Sequence, residues 1–160
     1  MKREISAGII IYRLVDREPK FLLLYHGGRY WNFPKGHLEE MPPTLIKGQP
    51  DLSKRETSVG AAFRETEEET GLKQNQLLLK KGFKAFQRYR FLKGKTPIFK
   101  IVIFFLAETR KREIRISREH EGYGWFFYKE ALSLAGRYKA NQEILKKAFE
   151  FIRLQRKTGL

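Results

Sequence analysis

The chain contains no cysteine. Disulfides, thiol catalysis and cysteine-ligated zinc are therefore excluded, and the composition is compatible with a reducing cytoplasm, where we expect the protein. Long apolar runs are also absent. Nothing approaches the ~20 residues of a membrane span, and Met1-Lys2-Arg3-Glu4 leads into a strand pattern rather than a signal peptide. No membrane partner is expected, and there is no internal repeat or low-complexity tract. Acidic residues are in short supply: 18 against 33 lysines and arginines, for a formal net charge of +15. Such a balance favours polyanionic partners, although a generally charge-rich surface has the same composition. The 160 residues that are present suffice for one proper core, and a single domain over residues 1–160 is expected.

Against this basic background stands an acidic stretch, Gly60-Ala61-Ala62-Phe63-Arg64-Glu65-Thr66-Glu67-Glu68-Glu69-Thr70-Gly71-Leu72. On a helix, Glu65, Glu68 and Glu69 occupy i, i+3 and i+4 and share one face. We expect them to stand in that turn without a basic partner. Like charges so spaced destabilise a bare helix by roughly 0.2–0.5 kcal/mol per pair. A bound divalent cation would reverse that sign, and hard carboxylate oxygens suit Mg²⁺, Mn²⁺ or Ca²⁺. A solvated acidic face is the plainer alternative.

Glu56, seven spacer residues and then Arg64-Glu65-Thr66-Glu67-Glu68-Glu69-Thr70-Gly71-Leu72 resembles the box of the Nudix family, G-x5-E-x7-R-E-U-x-E-E-x-G-U with U apolar. Thr66 stands where an aliphatic residue is usual. Pro34-Lys35-Gly36-His37-Leu38-Glu39 is similar to the loop that opens the box. Gly36 and Glu56 are 20 residues apart where the pattern has 6, so about 14 extra residues, roughly Glu40 to Arg55, interrupt that loop. With Pro42, Pro43, Gly48 and Pro50 beside Leu45, Ile46 and Leu52, this insertion at about 40–55 is expected to be an exposed, partly packed excursion. The resemblance implies an α/β fold with a mixed β-sheet sandwiched between α-helices.

Periodicity places strands at Ile5–Tyr12 and Lys20–Tyr25 around a turn at Val15–Pro19, with Trp31-Asn32-Phe33 extended before Pro34. Thr57, or Ser53 in a capping box with Glu56, would open the acidic helix, and Gly71 would close it. Leu77–Phe91 reads as one or two strands. Phe99–Ala107 is nearly all apolar and so is expected to be central. Gly124–Phe127 reads as a short strand, and Lys129–Leu134 and Asn141–Leu154 as helices. Ile144, Leu145, Ala148, Phe151 and Ile152 give the second of these an apolar stripe.

The Nudix resemblance further implies hydrolysis of a nucleoside diphosphate linked to another group, with Mg²⁺ as cofactor and Mn²⁺ as a substitute. It implies Glu65, Glu68, Glu69 and a Gly36 carbonyl as metal ligands, with Glu65 also touching the attacking water. Glu56 and Arg64 would pair to hold the loop on the helix. Gly82-Phe83-Lys84, Arg88-Tyr89, Lys100 to Ala107 and Glu119-His120-Glu121-Gly122-Tyr123-Gly124-Trp125 are similar, in order, to segments of one branch, the asymmetrical diadenosine tetraphosphate hydrolases. That likeness implies Glu119 as a further metal ligand or base. Lys35, His37 and Lys100 become phosphate contacts, and Tyr89 and Tyr123 stack on a base; core packing and a solvated strand edge are the ordinary alternatives. His120 is either a phosphate contact or a turn residue. The implied reaction takes diadenosine tetraphosphate to ATP and AMP. The alternatives are removal of pyrophosphate from an RNA 5′ end, which the basic surface suits, another nucleoside triphosphate diphosphatase, and a nucleotide-sensing module without catalysis. The intact glutamates argue against the last.

Overall fold

Three long strands whose side chains alternate between two apolar faces set the architecture. In a computed structural model, residues 1–38, 45–46, 49–50 and 56–158 are described. Strand β1 (Lys2–Val15) turns through Asp16 and Arg17 into β2 (Glu18–Tyr25). Both turn residues have positive φ, 52° and 68°, as a two-residue hairpin turn matching the strand twist requires. Short strands β3 (Trp31–Asn32) and β4 (Lys35–His37) follow. Leu45–Ile46 (β5) pairs antiparallel with Gln49–Pro50 (β6). The remainder of the expected insertion, with Pro42, Pro43, Gly48, Leu52 and the candidate cap Ser53, lies outside the described residues, as does its packing.

Helix α1 (Ser58–Thr70) carries the acidic stretch. Thr57 is its N-cap, its side chain accepting from the Gly60 amide at 3.0 Å. Gly71 ends it at φ 76°, donating to the Glu67 carbonyl at 2.9 Å. A side chain there would be strained by the left-handed backbone and pressed to 3.1 Å from Arg115 Cβ. Beyond it lie β7 (Leu78–Leu79), β8 (Ala85–Lys93), β9 (Thr96–Glu108), β10 (Gly122–Phe127), α2 (Tyr128–Leu134) and α3 (Lys139–Lys157).

The sheet order is β10-β2-β1-β9-β7, with β3 on β2, β4 on β1 and β8 on β9. β1 and β9 run parallel, from Lys2↔Ile98 to Tyr12↔Glu108, and the other pairings are antiparallel. β9 is thus interior, as its apolar run predicts. On one face Ala7, Ile9, Ile11, Leu22 and Leu24 pack with Ala61, Ala62 and Leu72, at and just beyond α1. On the other Ile10, Phe21, Leu23, Phe104 and Leu106 meet Ala131 of α2 and Ile144, Leu145, Ala148 and Ile152 of α3. Each fully buried Ile or Leu contributes roughly 1.5–3 kcal/mol. The sheet therefore lies between helices, as expected. No helix among the described residues is long and apolar enough to cross a membrane.

Candidate active site

The second half of α1, from Arg64 to Glu69, lies beside β4, and this contact borders a cleft of about 770 Å³. Lys35, Gly36, His37, Glu65, Glu68, Glu69, Lys100 and Glu119, all singled out in the sequence, line it together with Ser6, Ser117 and Arg118. Gly36 sits in a close approach: a Cβ there would overlap the Glu65 carboxylate, which would have to move. The Lys35 amide donates to Glu69 Oε2 at 3.1 Å. Arg64 joins the parts. Its Nε and Nη2 donate to Glu56 at 2.7 and 3.1 Å, the expected pair, and Nη2 also donates to the His37 carbonyl at 2.9 Å.

One expectation is corrected here. The acidic turn does contain a counter-charge, since Arg64 Nη1 lies 2.9 Å from Glu65 Oε1 and 3.3 Å from Glu68 Oε1. Arg64 precedes Glu65 directly and stands four before Glu68, so its long side chain reaches both while gripping Glu56.

The cleft is electrically divided. Burial pushes the Glu69 carboxyl up to about 8, and burial with the nearby Glu68 and Glu119 charges raises Glu65. On the opposite wall burial lowers Lys35, and burial with the Lys100 charge lowers His37. Lys100, 6% exposed, is lowered by burial and by Lys35. A lysine buried in an otherwise apolar strand needs a polar partner, and Lys100 has Glu4 Oε2 at 3.7 Å and His37 Nδ1 at 3.2 Å. Desolvated acids thus face desolvated bases.

The acidic wall is made of hard oxygen donors, which fits a divalent cation in donor type. Among the described residues no three such side chains converge as a ligand cage. Glu65 is turned to Arg64 through Oε1, and Glu68 through both of its oxygens.

A second cleft, of about 540 Å³, adjoins the first and shares Lys35 with it. Tyr89 lines it, with Tyr30, Phe91, Arg137 and Tyr138. Tyr30 and Tyr138 meet edge to face at 5.4 Å, and the Arg137 guanidinium lies 5.6 Å from the Tyr30 ring and 5.9 Å from that of Tyr138. The floor is a chain of buried amides: Gln87 donates to Asn141 at 2.7 Å, and Asn141 to Asn32 at 3.2 Å. Aromatic walls over a floor of amides suit a planar, hydrogen-bonding ring.

A NUDIX domain profile matches residues 2–148. The chain belongs to the Nudix family. Curated relatives include the asymmetrical bis(5′-nucleosyl)-tetraphosphatases of Sus scrofa and Rattus norvegicus, each 34% identical over 157 residues, covering 92% of this chain and 94% of the relative. The fold is similar to a C. elegans Ap4A hydrolase solved as a binary complex, with TM-score 0.75, 26% identity and coverage of 94% of this chain and 98% of that one. It also resembles an E. coli dihydroneopterin triphosphate pyrophosphohydrolase, in fold alone, at TM-score 0.60 and 19% identity with coverage of 92% and 97%. Nudix hydrolases generally need a divalent metal ion.

The fold brings the carboxylates and the phosphate-contact candidates of this Nudix hydrolase into one cleft and sets Tyr89 beside them. Tyr123 is not brought there. It lies on β10 opposite Leu24, 39% exposed, and lines neither cleft. His120 is buried, with Nδ1 3.0 Å from Ser117 Oγ and its ring 4.4 Å from that of His26, and acts as a turn residue. Tyr30, Gln87, Arg137, Tyr138 and Asn141 were not legible as site residues. Asn141 did leave a signal: it stands three residues before Ile144, a polar residue on the stripe that α3 buries.

Proposed function

We propose that this Nudix hydrolase cleaves diadenosine tetraphosphate asymmetrically to ATP and AMP, using Mg²⁺, with Mn²⁺ as a substitute. The observation that carries this is the junction at Lys35, a residue that lines both a cleft walled by tyrosines and a cleft divided between acids and bases. One adenosine lies against Tyr89 and Tyr138 in this reading, and its phosphates pass Lys35, His37 and Lys100 toward α1. Glu65, Glu68, Glu69, Glu119 and the Gly36 carbonyl hold the metal, which when bound neutralises charge on the phosphates. Arg64 and Glu56 are positioning residues that keep β4 on α1.

Water attacks the phosphorus of the far nucleotide. Its oxygen bonds to that phosphorus, the bridging P–O bond breaks toward ATP, and the proton passes to Glu65, with Glu119 close by. Burial and neighbouring carboxylates raise Glu65, which makes it the better proton acceptor near neutral pH. Tyr123 stays outside this scheme. The asymmetrical tetraphosphatases among its relatives support the substrate, and we assign the enzyme as a single domain to the cytoplasm, where free nucleotides are found.

The test is turnover under identical conditions with magnesium. Diadenosine tetraphosphate should exceed ATP in kcat/KM by at least about tenfold, because ATP lacks the second nucleoside's binding energy. No cleavage of the dinucleotide, with brisk pyrophosphate release from triphosphorylated RNA, would replace this reading with the RNA one.

A further inference from the structure

Outside both clefts lies a groove of about 810 Å³ between the C-terminal end of α1 and the segment before β10. Lys73, Arg110, Lys111, Arg112 and Arg115 line it, all exposed, against a single carboxylate, Glu113. None of these cations forms an ion pair among the described residues. Cations at a helix C-terminus offset its dipole, but that effect fades within the last turn and leaves Arg110, Lys111 and Arg112 unexplained.

The backbone that carries them is fixed. Thr109 donates from its amide to the Tyr12 carbonyl at 2.9 Å and from its hydroxyl to the Gln76 carbonyl at 2.8 Å. The Arg115 amide donates to the Thr70 carbonyl at 2.9 Å, and Trp125 Nε1 to the Arg112 carbonyl at 2.7 Å. Residues 109–119 therefore run antiparallel beside α1. Arg112 and Arg110 lie toward Lys73 and Gln76, Arg115 lies at Thr70, and Arg118 and Glu119 reach the carboxylate cleft. The cationic row leads out of that cleft on the side away from the tyrosines, where Lys35 is the shared wall.

We propose that this groove binds the far limb of a polyphosphate substrate, the phosphates and nucleoside beyond the bond that is cut, and so sets the preference for chain length. The proposal rests on the assignment of dinucleoside polyphosphates as substrates. With one adenosine in the tyrosine cleft and the attacked phosphorus at α1, a tetraphosphate leaves a single phosphate beyond the cut and reaches Arg118. A hexaphosphate leaves three, and these extend along Arg115 toward Arg112 and Arg110. Arg110, Lys111 and Arg112 then meet phosphate charge only in the longer substrate.

The test compares the full-length chain, loaded with magnesium, with the variant Arg110→Gln/Lys111→Gln/Arg112→Gln, on diadenosine tetraphosphate and diadenosine hexaphosphate. The variant should keep kcat/KM on the tetraphosphate within about twofold and lose about tenfold on the hexaphosphate through KM, as three exposed charge pairs worth about twofold each would give. The hexaphosphate loss should shrink as salt rises. Equal losses on both substrates, or none on either, would overturn the groove's role. If the unaltered chain cleaves neither substrate, the substrate assignment fails, and the groove is judged by calorimetric binding of diadenosine hexaphosphate: weaker in the variant supports it, unchanged overturns it.

Discussion

The two clefts that meet at Lys35 are built on opposite principles. The carboxylate cleft gathers charge and removes water from it, so that Glu69 and Glu65 are held above their ordinary range while Lys35, His37 and Lys100 are held below theirs. The tyrosine cleft has aromatic walls and a floor of amides that satisfy one another. The first is built to meet a charged ligand, and the second satisfies its own polar groups. Damage to the first should therefore appear in the rate, and damage to the second in affinity.

The largest effect should come from the carboxylates. Glu68→Gln and Glu69→Gln should each lower kcat by at least about 100-fold, a loss of roughly 2.7 kcal/mol of transition-state stabilisation, and excess chelator should abolish turnover of the unaltered chain. Glu69→Gln also removes a charge that is costly to bury. Without metal its Tm should rise, by roughly 3 °C for each kcal/mol recovered in a chain of this size. A metal-free Tm that falls instead would mean that the Glu69 charge is already compensated.

Gly36→Ala tests the close approach without touching charge. Its Cβ would meet the Glu65 carboxylate, and the displacement should lower kcat by at least about tenfold, with circular dichroism unchanged. Full activity would show that Glu65 can work from elsewhere.

In the tyrosine cleft, Tyr89→Ala and Tyr138→Ala should raise KM by about tenfold, within the 1–3 kcal/mol of base stacking, at nearly constant kcat. Phe at either position should be mild, and Tyr123→Ala should leave KM unchanged. A Phe variant as poor as Ala would show that the hydroxyl matters more than the ring face.

The smallest effect concerns the wall of that cleft. His26 packs 4.7 Å from the Tyr30 ring, and burial, with His120, lowers it to about 4. Its Nε2 is buried without a hydrogen-bond partner. Between pH 6.5 and about 4 the unfolded chain binds this proton and the folded chain does not, so stability falls as pH falls through that window. Discounted for partial exposure, the loss should be about 1 kcal/mol, read as the difference between the unaltered chain and His26→Gln in their urea-midpoint shifts from pH 7 to pH 5, a comparison that cancels the opposite contribution of Glu69.

Which parts were legible follows from how each cleft is assembled. Glu65, Glu68 and Glu69 share a face because helical spacing is local, and one helix carries all three. The strands β1 and β2 were readable from their periodicity, and β9 from its nearly all-apolar run. The tyrosine cleft draws on residues 30–32, 87–91 and 137–141, joined only by sheet register and by the docking of α3, which no short pattern encodes. Tyr123 shows the same limit. It shares a face of β10 with Trp125, which packs on the α1 side, whereas Tyr89 shares a face of β8 with Gln87, which bonds to α3. Arg64 was read for Glu56 alone because a side chain's reach to Glu65 and Glu68 depends on its rotamer.

The division of labour between the clefts is tested most directly by the product pair formed from diadenosine tetraphosphate in water labelled with heavy oxygen. If one adenosine is held by the tyrosines while attack occurs at the far nucleotide, the products are ATP and AMP, with the label in AMP. Two molecules of ADP, or label in ATP, would contradict the account.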